Sequence, residues 1–386
     1  MITKREDLLH SIHARQQNLK AATGLLPFND IHYRPTLRLR EMSKTGPHET
    51  TIDFDPIAKE QQLRSESGTW DTSQIFDAQP GDIPVIDLHD YFTEPDEIKL
   101  KQLGEKFRIA CETVGFFSII GHQIPRSQLD SMFEFTSKFH ELALADKNAI
   151  AMDQPHWPVG GIGYLPVRHR KLPTRDRGNL NEAFIVKCDH NLTMNDNQWP
   201  AEAKLPGFRN SVESYAHSLE LLGKQLLPIF ATALSMQPSF FDQAFTSPLY
   251  RLRLTHYPPQ ASIAVDEFGI APHVDTTFCT ILAQDQPGLV IYSERRKQWI
   301  KAPLLEDAFI VNSGELLRTW TNDRFISVKH FANNTASDQS RYSIPFFLNA
   351  NSNYSMTCIP SCCGPDNPPK YPPISYAESQ AKIQGE

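Results

Sequence analysis

Apolar positions after residue 250 fall in short runs of strand length. "YRLRLTHYPP", "HVDTTFCTILAQD", "GLVIYSE", "QWIKAP", "AFIVNSG", "SVKHFANN" and "RYSIPFFLNA" are separated by turn residues, and this density of short strands predicts an antiparallel sandwich or barrel. Earlier in the chain the pattern is mixed. "DIPVIDLHDYF" (82–92) predicts a strand with Pro84 near its start, followed by a helix with Leu103, Phe107 and Cys111 on one face. "VGFFSIIGHQI" (114–124) reads as a buried strand ending at Gly121, and "PRSQLDSMFEFTSKFHELALADKNAI" repeats its apolar residues every three to four positions, as an amphipathic helix does. "HWPVGGIGYLPVRHRK" is loop-like and "NEAFIVKC" strand-like, while residues 207–237 have the period of the longest helix, with Pro228 expected to bend it. Residues 1–80 show no sustained apolar period beyond a short amphipathic stretch at 5–22. The organisation expected is a polar extension (1–80), a mixed helix and strand region packed on the core (81–240), and a β-rich core (241–376) with a tail to 386.

Bulk properties narrow the function classes. A formal net charge of −7 and a pI near 6.1 over 386 residues argue against nucleic acid, because a phosphate-binding face must be basic. No run approaches the roughly 18 to 20 apolar residues needed to cross a bilayer, and "MITKREDLLHSIHARQQ" lacks the apolar core of a leader peptide. A cytoplasmic protein with no membrane partner is the expectation. Cys111, Cys188, Cys279, Cys358, Cys362 and Cys363 are too irregular for a disulfide framework and form no CxxC pair, so reduced thiols are expected.

The chemistry lies in "APHVDTTFCTIL". If these residues form one strand, His273 and Asp275 share a face about 6.5 to 7 Å apart and can converge on one cation. A satisfied polar pair is the alternative for an isolated His-x-Asp. His330, in the strand-like run "RFISVKHFANN", adds a second imidazole, and two imidazoles with one carboxylate on one face of a metal form the facial triad of non-haem Fe(II) oxygenases. Arg341 and Ser343 follow on one face of "RYSIPFF". An inward arginine calls for an anion, either a bound carboxylate held by its fork or a structural Asp partner.

The ordered set HxD, distal His, RxS resembles the iron(II)- and 2-oxoglutarate-dependent dioxygenases of the isopenicillin N synthase-like superfamily. "IPVIDL", "VGFFSIIGH", "NEAFIV", "LRLTHYPPQ", "LAQDQPGL", "IVNSGELLRTWTN" and "RYSIPFF" match further landmarks of that family, in order, across roughly residues 82–376. The resemblance implies a mainly β fold with flanking helices, built on a double-stranded β-helix (jelly-roll, cupin-like) core. It implies Fe(II) held by His273, Asp275 and His330, and 2-oxoglutarate held by Arg341, Ser343 and Tyr257. Departures lie beside the metal. Thr276 and Thr277 stand where the family usually has an aromatic residue and Gly, Phe331 where Arg is common, and Thr255 where Asn is frequent.

The implied reaction uses O2 to convert 2-oxoglutarate to succinate and CO2 while oxidising an unactivated C–H bond of a small-molecule natural product. Hydroxylation is the default, desaturation, cyclisation and rearrangement share its oxidant, and ascorbate is an expected aid in vitro. Asp275 argues against halogenation, since halogenating relatives lack that carboxylate. The alternatives are a 2-oxoglutarate-independent Fe(II) oxidase of the same superfamily and a non-catalytic binding module on the same fold. Trp157, Tyr164, Phe184, Thr277, Phe278, Phe331 and Phe347 are candidate pocket residues suited to an apolar or polycyclic substrate, with ordinary core packing as the alternative for each aromatic. His256 faces away from Tyr257 on its strand and is assigned to structure.

Overall fold

Strand register divides the molecule into a helix-packed layer and a concave face. The computed structural model describes residues 72–152, 161–169, 177–189, 194–264, 267–333 and 338–384. Its strands are β1 (Ile75–Asp77), β2 (Val85–Asp87), β3 (Phe116–Ile120), β4 (Gly163–Leu165), β5 (Glu182–Cys188), β6 (Leu249–Tyr257), β7 (Ile270–His273), β8 (Cys279–Gln284), β9 (Leu289–Ser293), β10 (Gln298–Lys301), β11 (Phe309–Ser313), β12 (His330–Ala332) and β13 (Arg341–Asn349). The helices are α1 (His89–Thr93), α2 (Glu97–Thr113), α3 (Arg126–Glu141), α4 (Leu144–Asn148), α5 (Phe208–Ala233), α6 (Glu315–Trp320) and α7 (Tyr376–Gln384). The major sheet runs β2-β3-β11-β8-β13-β6-β5-β4 and the minor sheet β1-β10-β9-β12-β7. Together they form the double-stranded β-helix that the short-strand pattern and the resemblance implied.

One row of opposed residues crosses the major sheet through Phe117, Val311, Ile281, Phe346, Leu252 and Val186. All are buried in the main apolar cluster with α2, α3 and α5. Phe107 of α2 meets Phe117 at 4.7 Å and Phe230 of α5 at 5.1 Å between ring centroids. Burying each such ring contributes about 1.5–3 kcal/mol, so this layer is the main stabilising core. Helix α2 presents Leu100, Leu103, Phe107 and Cys111 to it, as its period requires, and starts where the Asp96 carboxylate accepts from the Lys99 backbone N–H at 2.8 Å.

The neighbouring row, one residue out of phase, faces the other way. Phe116, Asn312, Thr280, Phe347, Arg251 and Lys187 are successive cross-strand partners. Its first four members line a cavity that the minor sheet closes with Leu289, His330 and Ala332.

Several expectations shift in detail. The "HELALADKNAI" end of the long amphipathic pattern breaks at Leu142, whose extended ψ of 149° separates α3 from α4. "GYL", within a stretch expected as loop, is β4, because β5 offers it a backbone partner from Gly163 to Leu165. "IFD", within the expected polar extension, is β1 and pairs in parallel with β10. Three-residue strands are too short to show a period, and each depends on its partner's ladder. "DIPVIDLHDYF" keeps only Val85–Asp87 as strand before turning helical at His89. Helix α5 runs through Pro228 to Ala233. The short amphipathic stretch at 5–22 lies outside the described residues, and no described helix is long and apolar enough to cross a membrane.

Candidate metal and cosubstrate site

His273 is the last residue of β7 and His330 the first of β12, and the two are direct cross-strand partners with ring centroids 4.3 Å apart. Asp275 is not on that strand. It sits in the loop between β7 and β8, so the pair does not meet by sharing a strand face as expected. The loop turns the carboxylate back toward both rings. Asp275 Oδ1 lies 3.6 Å from His273 Nε2 and 3.7 Å from His330 Nε2. Nδ1 of His273 is 2.9 Å from the Ala271 carbonyl oxygen, and Nδ1 of His330 is 3.1 Å from that of Val328. Each carbonyl accepts from an Nδ1–H, which leaves both Nε2 lone pairs aimed at Oδ1.

The other oxygen of Asp275 is already engaged. Oδ2 accepts from Thr280 Oγ1 at 2.7 Å and from Asn312 Nδ2 at 2.9 Å, both on the concave row. Burial would raise this carboxyl's pKa, but the neighbouring His330 and His273 and the Asn312 hydrogen bond outweigh it and hold the group well below the usual range. Burial, reinforced by His273, lowers His330 to about 4, so its imidazole is neutral at physiological pH. Two imidazole nitrogens and one carboxylate oxygen, within 4.8 Å of one another, suit a borderline divalent cation with ligand positions to spare.

Arg341 and Ser343 share the face of β13 that looks into the same cavity. The Arg341 guanidinium lies 4.5 Å over the Tyr257 ring. Its Nε donates to the Gln286 carbonyl at 3.1 Å and its Nη2 to Gln284 Oε1 at 3.1 Å. Nη1 is buried and unpaired. Among the described residues no carboxylate forms an ion pair with Arg341, so the structural Arg–Asp pairing is not made. Tyr257 Oη and Ser343 Oγ are 3.2 Å apart. A buried guanidinium with an unspent donor, two hydroxyls beside it and an apolar surround fit one end of a dicarboxylate.

Gly288 makes room for this arginine. A Cβ there would lie 2.5 Å from Arg341 Nε and 2.8 Å from its Cζ. Gly288→Ala is expected to displace the fork and weaken 2-oxoglutarate binding by about tenfold or more, roughly 1.4 kcal/mol, with metal affinity unchanged. Titrating 2-oxoglutarate into the metal-loaded variant checks this.

Of the aromatic pocket candidates, Phe347 lines the cavity. Tyr164 and Phe184 do not. They are cross-strand partners on the helix side of β4 and β5, where Phe184 packs on Phe139, Trp199 and Phe208. Phe278 sits among Phe230, Phe241, Phe245 and Trp320 in the helix layer. Phe331 alternates with His330 and packs outward on Phe268 and Trp299. Thr277 is buried with its hydroxyl 3.2 Å from Thr280 Oγ1, outside the cavity lining. Trp157 lies outside the described residues. Residue type suggested these positions, whereas strand parity, which alternates side chains between faces, decides them. Asn312 and Thr280 were missed because a polar residue inside an apolar strand gives no hint of its partner.

A second cluster of ligand-type residues, His140, Glu182 and His256, lies on the helix side. Its one carboxylate is already committed. Glu182 Oε2 accepts from Lys147 Nζ at 2.9 Å and Tyr164 Oη at 2.5 Å, while Oε1 lies 2.8 Å from His256 Nδ1. A buried ammonium on the carboxylate opposes a metal cation. His256 is therefore structural, as its strand parity implied. Burial would raise the Glu182 carboxyl's pKa, but the adjacent imidazoles of His140 and His256 and the Tyr164 hydroxyl outweigh burial and hold it well below the ordinary range. A depressed folded-state pKa adds stability above the unfolded value near 4.3, and that stability is lost as pH falls. Glu182→Gln is expected to cost about 3 kcal/mol at pH 7, with the difference shrinking below about pH 4, as read by denaturant melts at several pH values.

The fold and this cavity define a non-haem metal oxygenase. Residues 248–350 match the 2OG-Fe(II) oxygenase superfamily, and residues 83–202 match the family described as non-haem dioxygenase in morphine synthesis N-terminal. The 2-oxoglutarate-Fe(II) type oxidoreductase hxnY of Emericella nidulans is 32% identical over 309 residues, covering 76% of this chain and 87% of that protein. The 2-oxoglutarate-dependent dioxygenase tropC of Talaromyces stipitatus is 30% identical over 71% of this chain and 88% of its own length. Among solved structures, a full-length Neurospora crassa protein in complex with alpha-KG and thymine is similar with a TM-score of 0.70 at 24% identity, covering 80% of this chain and 98% of that one, a likeness of fold. The chain belongs to the 2-oxoglutarate- and Fe(II)-dependent oxygenase superfamily. It is an enzyme whose cofactor is Fe(II) and whose cosubstrate is 2-oxoglutarate.

Proposed function

We propose that this enzyme oxidises an unactivated C–H bond of a small-molecule natural product, by hydroxylation in the first instance, with Fe(II) held by His273, Asp275 and His330 and 2-oxoglutarate by Arg341, Ser343 and Tyr257. The observation that supports this most is that one cavity gathers the two free Nε2 atoms, the free Asp275 Oδ1 and the unspent Nη1 of Arg341. When bound, Fe(II) with 2-oxoglutarate activates O2 for C–H oxidation, releasing succinate and CO2.

The protein's part is positioning and exclusion. Thr280 and Asn312 occupy Asp275 Oδ2, so this residue offers the metal Oδ1 alone and leaves coordination positions for the cosubstrate and O2. Arg341 neutralises the far carboxylate, with Ser343 and Tyr257 placed to donate to it. Phe116, Ile270, Leu282 and Leu289 keep the remaining wall apolar, which excludes bulk water and strengthens the charge contacts inside. Anaerobic addition of 2-oxoglutarate to the Fe(II) protein is expected to produce a visible metal-to-ligand charge-transfer band, and with substrate and air to yield one succinate per product. Oxygen consumption without succinate would count against the reading.

A further inference from the structure

Gln284 closes β8 opposite Ser343 of β13, and the four residues after it, 285–288, lead into β9. This short turn wraps Arg341. Nη2 of Arg341 donates to Gln284 Oε1 at 3.1 Å, Nε donates to the Gln286 carbonyl at 3.1 Å, and Gly288 leaves open the space that a Cβ would fill. The same turn grips the neighbouring backbone. Asp285 N donates to the Tyr342 carbonyl at 3.2 Å, Tyr342 N donates to Asp285 Oδ1 at 2.8 Å, and Gln286 Nε2 donates to the Ser340 carbonyl at 3.1 Å.

Both acceptors that meet the guanidinium are neutral amide oxygens. A guanidinium only donates, so a glutamine beside it must present Oε1 and turn its amide nitrogen elsewhere. Gln284 Nε2 is buried without a partner. Leaving half of a buried amide unpaired is costly, and the bond from its oxygen to Arg341 is what offsets that cost at this position. The turn does carry one carboxylate, yet Asp285 spends Oδ1 on the Tyr342 N–H and forms no ion pair with Arg341 among the described residues. Burial pushes the Asp285 carboxyl's pKa up, against the Tyr342 N–H and the Arg341 charge, so the acid of this turn is a weaker one than usual.

We propose that Gln284 is a positioning residue for 2-oxoglutarate: it fixes the Arg341 fork through a neutral oxygen, so the fork is aimed while its positive charge stays unspent for the cosubstrate's far carboxylate. This rests on the reading of Arg341 as the partner of that carboxylate. Nη1, the buried donor left over, is then the part of the fork still free to receive it. A carboxylate in place of the Gln284 amide would hold the arginine at least as firmly, but it would set a second negative charge beside the incoming one. Stability and cosubstrate affinity therefore move in opposite directions, which a glutamine that served the fold alone would not produce.

The test titrates 2-oxoglutarate into the full chain, loaded anaerobically with Fe(II), and follows the charge-transfer band, while thermal unfolding is read separately by circular dichroism. Gln284→Met keeps the size of the side chain and removes its oxygen. It is expected to weaken 2-oxoglutarate binding by about tenfold, the loss of one hydrogen bond to a charged group. Gln284→Glu is expected to weaken it by about a hundredfold, yet to unfold at or above the temperature of the Met variant. Fe(II) affinity should stay at the native level in both. Each variant is a separate test, so failure of one to fold leaves the other. The proposal is overturned if Gln284→Met binds 2-oxoglutarate as tightly as the native protein, if Gln284→Glu binds it as tightly as either, or if Gln284→Glu unfolds below Gln284→Met. Native affinity in Arg341→Met would instead overturn the assignment of Arg341 itself.

Discussion

Asp275→Ala is expected to leave metal content after dialysis near background and succinate formation at least about a thousandfold below the native rate, equivalent to roughly 4 kcal/mol of lost stabilisation. The reasoning is geometric. Of the three side chains Asp275 alone carries a negative charge to offer a dication, and its Oδ1 faces both imidazole rings. The control is Asn312→Ala, which leaves Asp275 in place but frees its Oδ2 from one of its two donors. Loss of such a supporting hydrogen bond typically costs about 10- to 100-fold in metal affinity or activity. Metal analysis beside succinate assays separates the two variants, and equal losses in both would show that Asp275 acts only as a packing residue.

The second large effect is expected at Arg341. Arg341→Met keeps an unbranched apolar stem beside Tyr257 and removes the fork, leaving a 2-oxoglutarate carboxylate buried without its counter-charge. Truncating one side of a buried, hydrogen-bonded charge pair costs about 3 kcal/mol, so KM for 2-oxoglutarate should rise by roughly a hundredfold. Metal affinity should stay at the native level, because no metal-binding atom touches this side chain. A rise in KM with little change in kcat at saturating 2-oxoglutarate is the expected signature of lost uniform binding. A selective fall in kcat would instead place Arg341 in the chemical step.

Much of this was legible in the order of residues along the chain. The short-strand density after residue 250 and the period of α2 and α5 survive in the structure, because both patterns report burial on one face. The spacing of His273, Asp275, His330, Arg341 and Ser343 pointed to one cavity, and the structure brings them to it. The route for Asp275 was different. A strand face was expected to align it with His273, yet β7 ends at His273 and the loop returns the carboxylate to the site. The pocket wall was least legible. Tyr164, Phe184, Phe278 and Phe331 have the composition of a substrate site, but each lies on the wrong side of its strand or beyond its end. Aromatic character reports a wish to be buried and carries no information about which layer does the burying.

The cross-strand pairing of His273 with His330 has a consequence for how this site can change. Those two imidazoles inherit their separation from a ladder that neither residue can leave without disturbing both strands. Asp275 lies off the ladder and takes its place from two hydrogen bonds instead. The proposed ligands are therefore held in two ways: the imidazole pair by a strand ladder, and the carboxylate by side-chain hydrogen bonds that substitution can remove while that ladder stays intact.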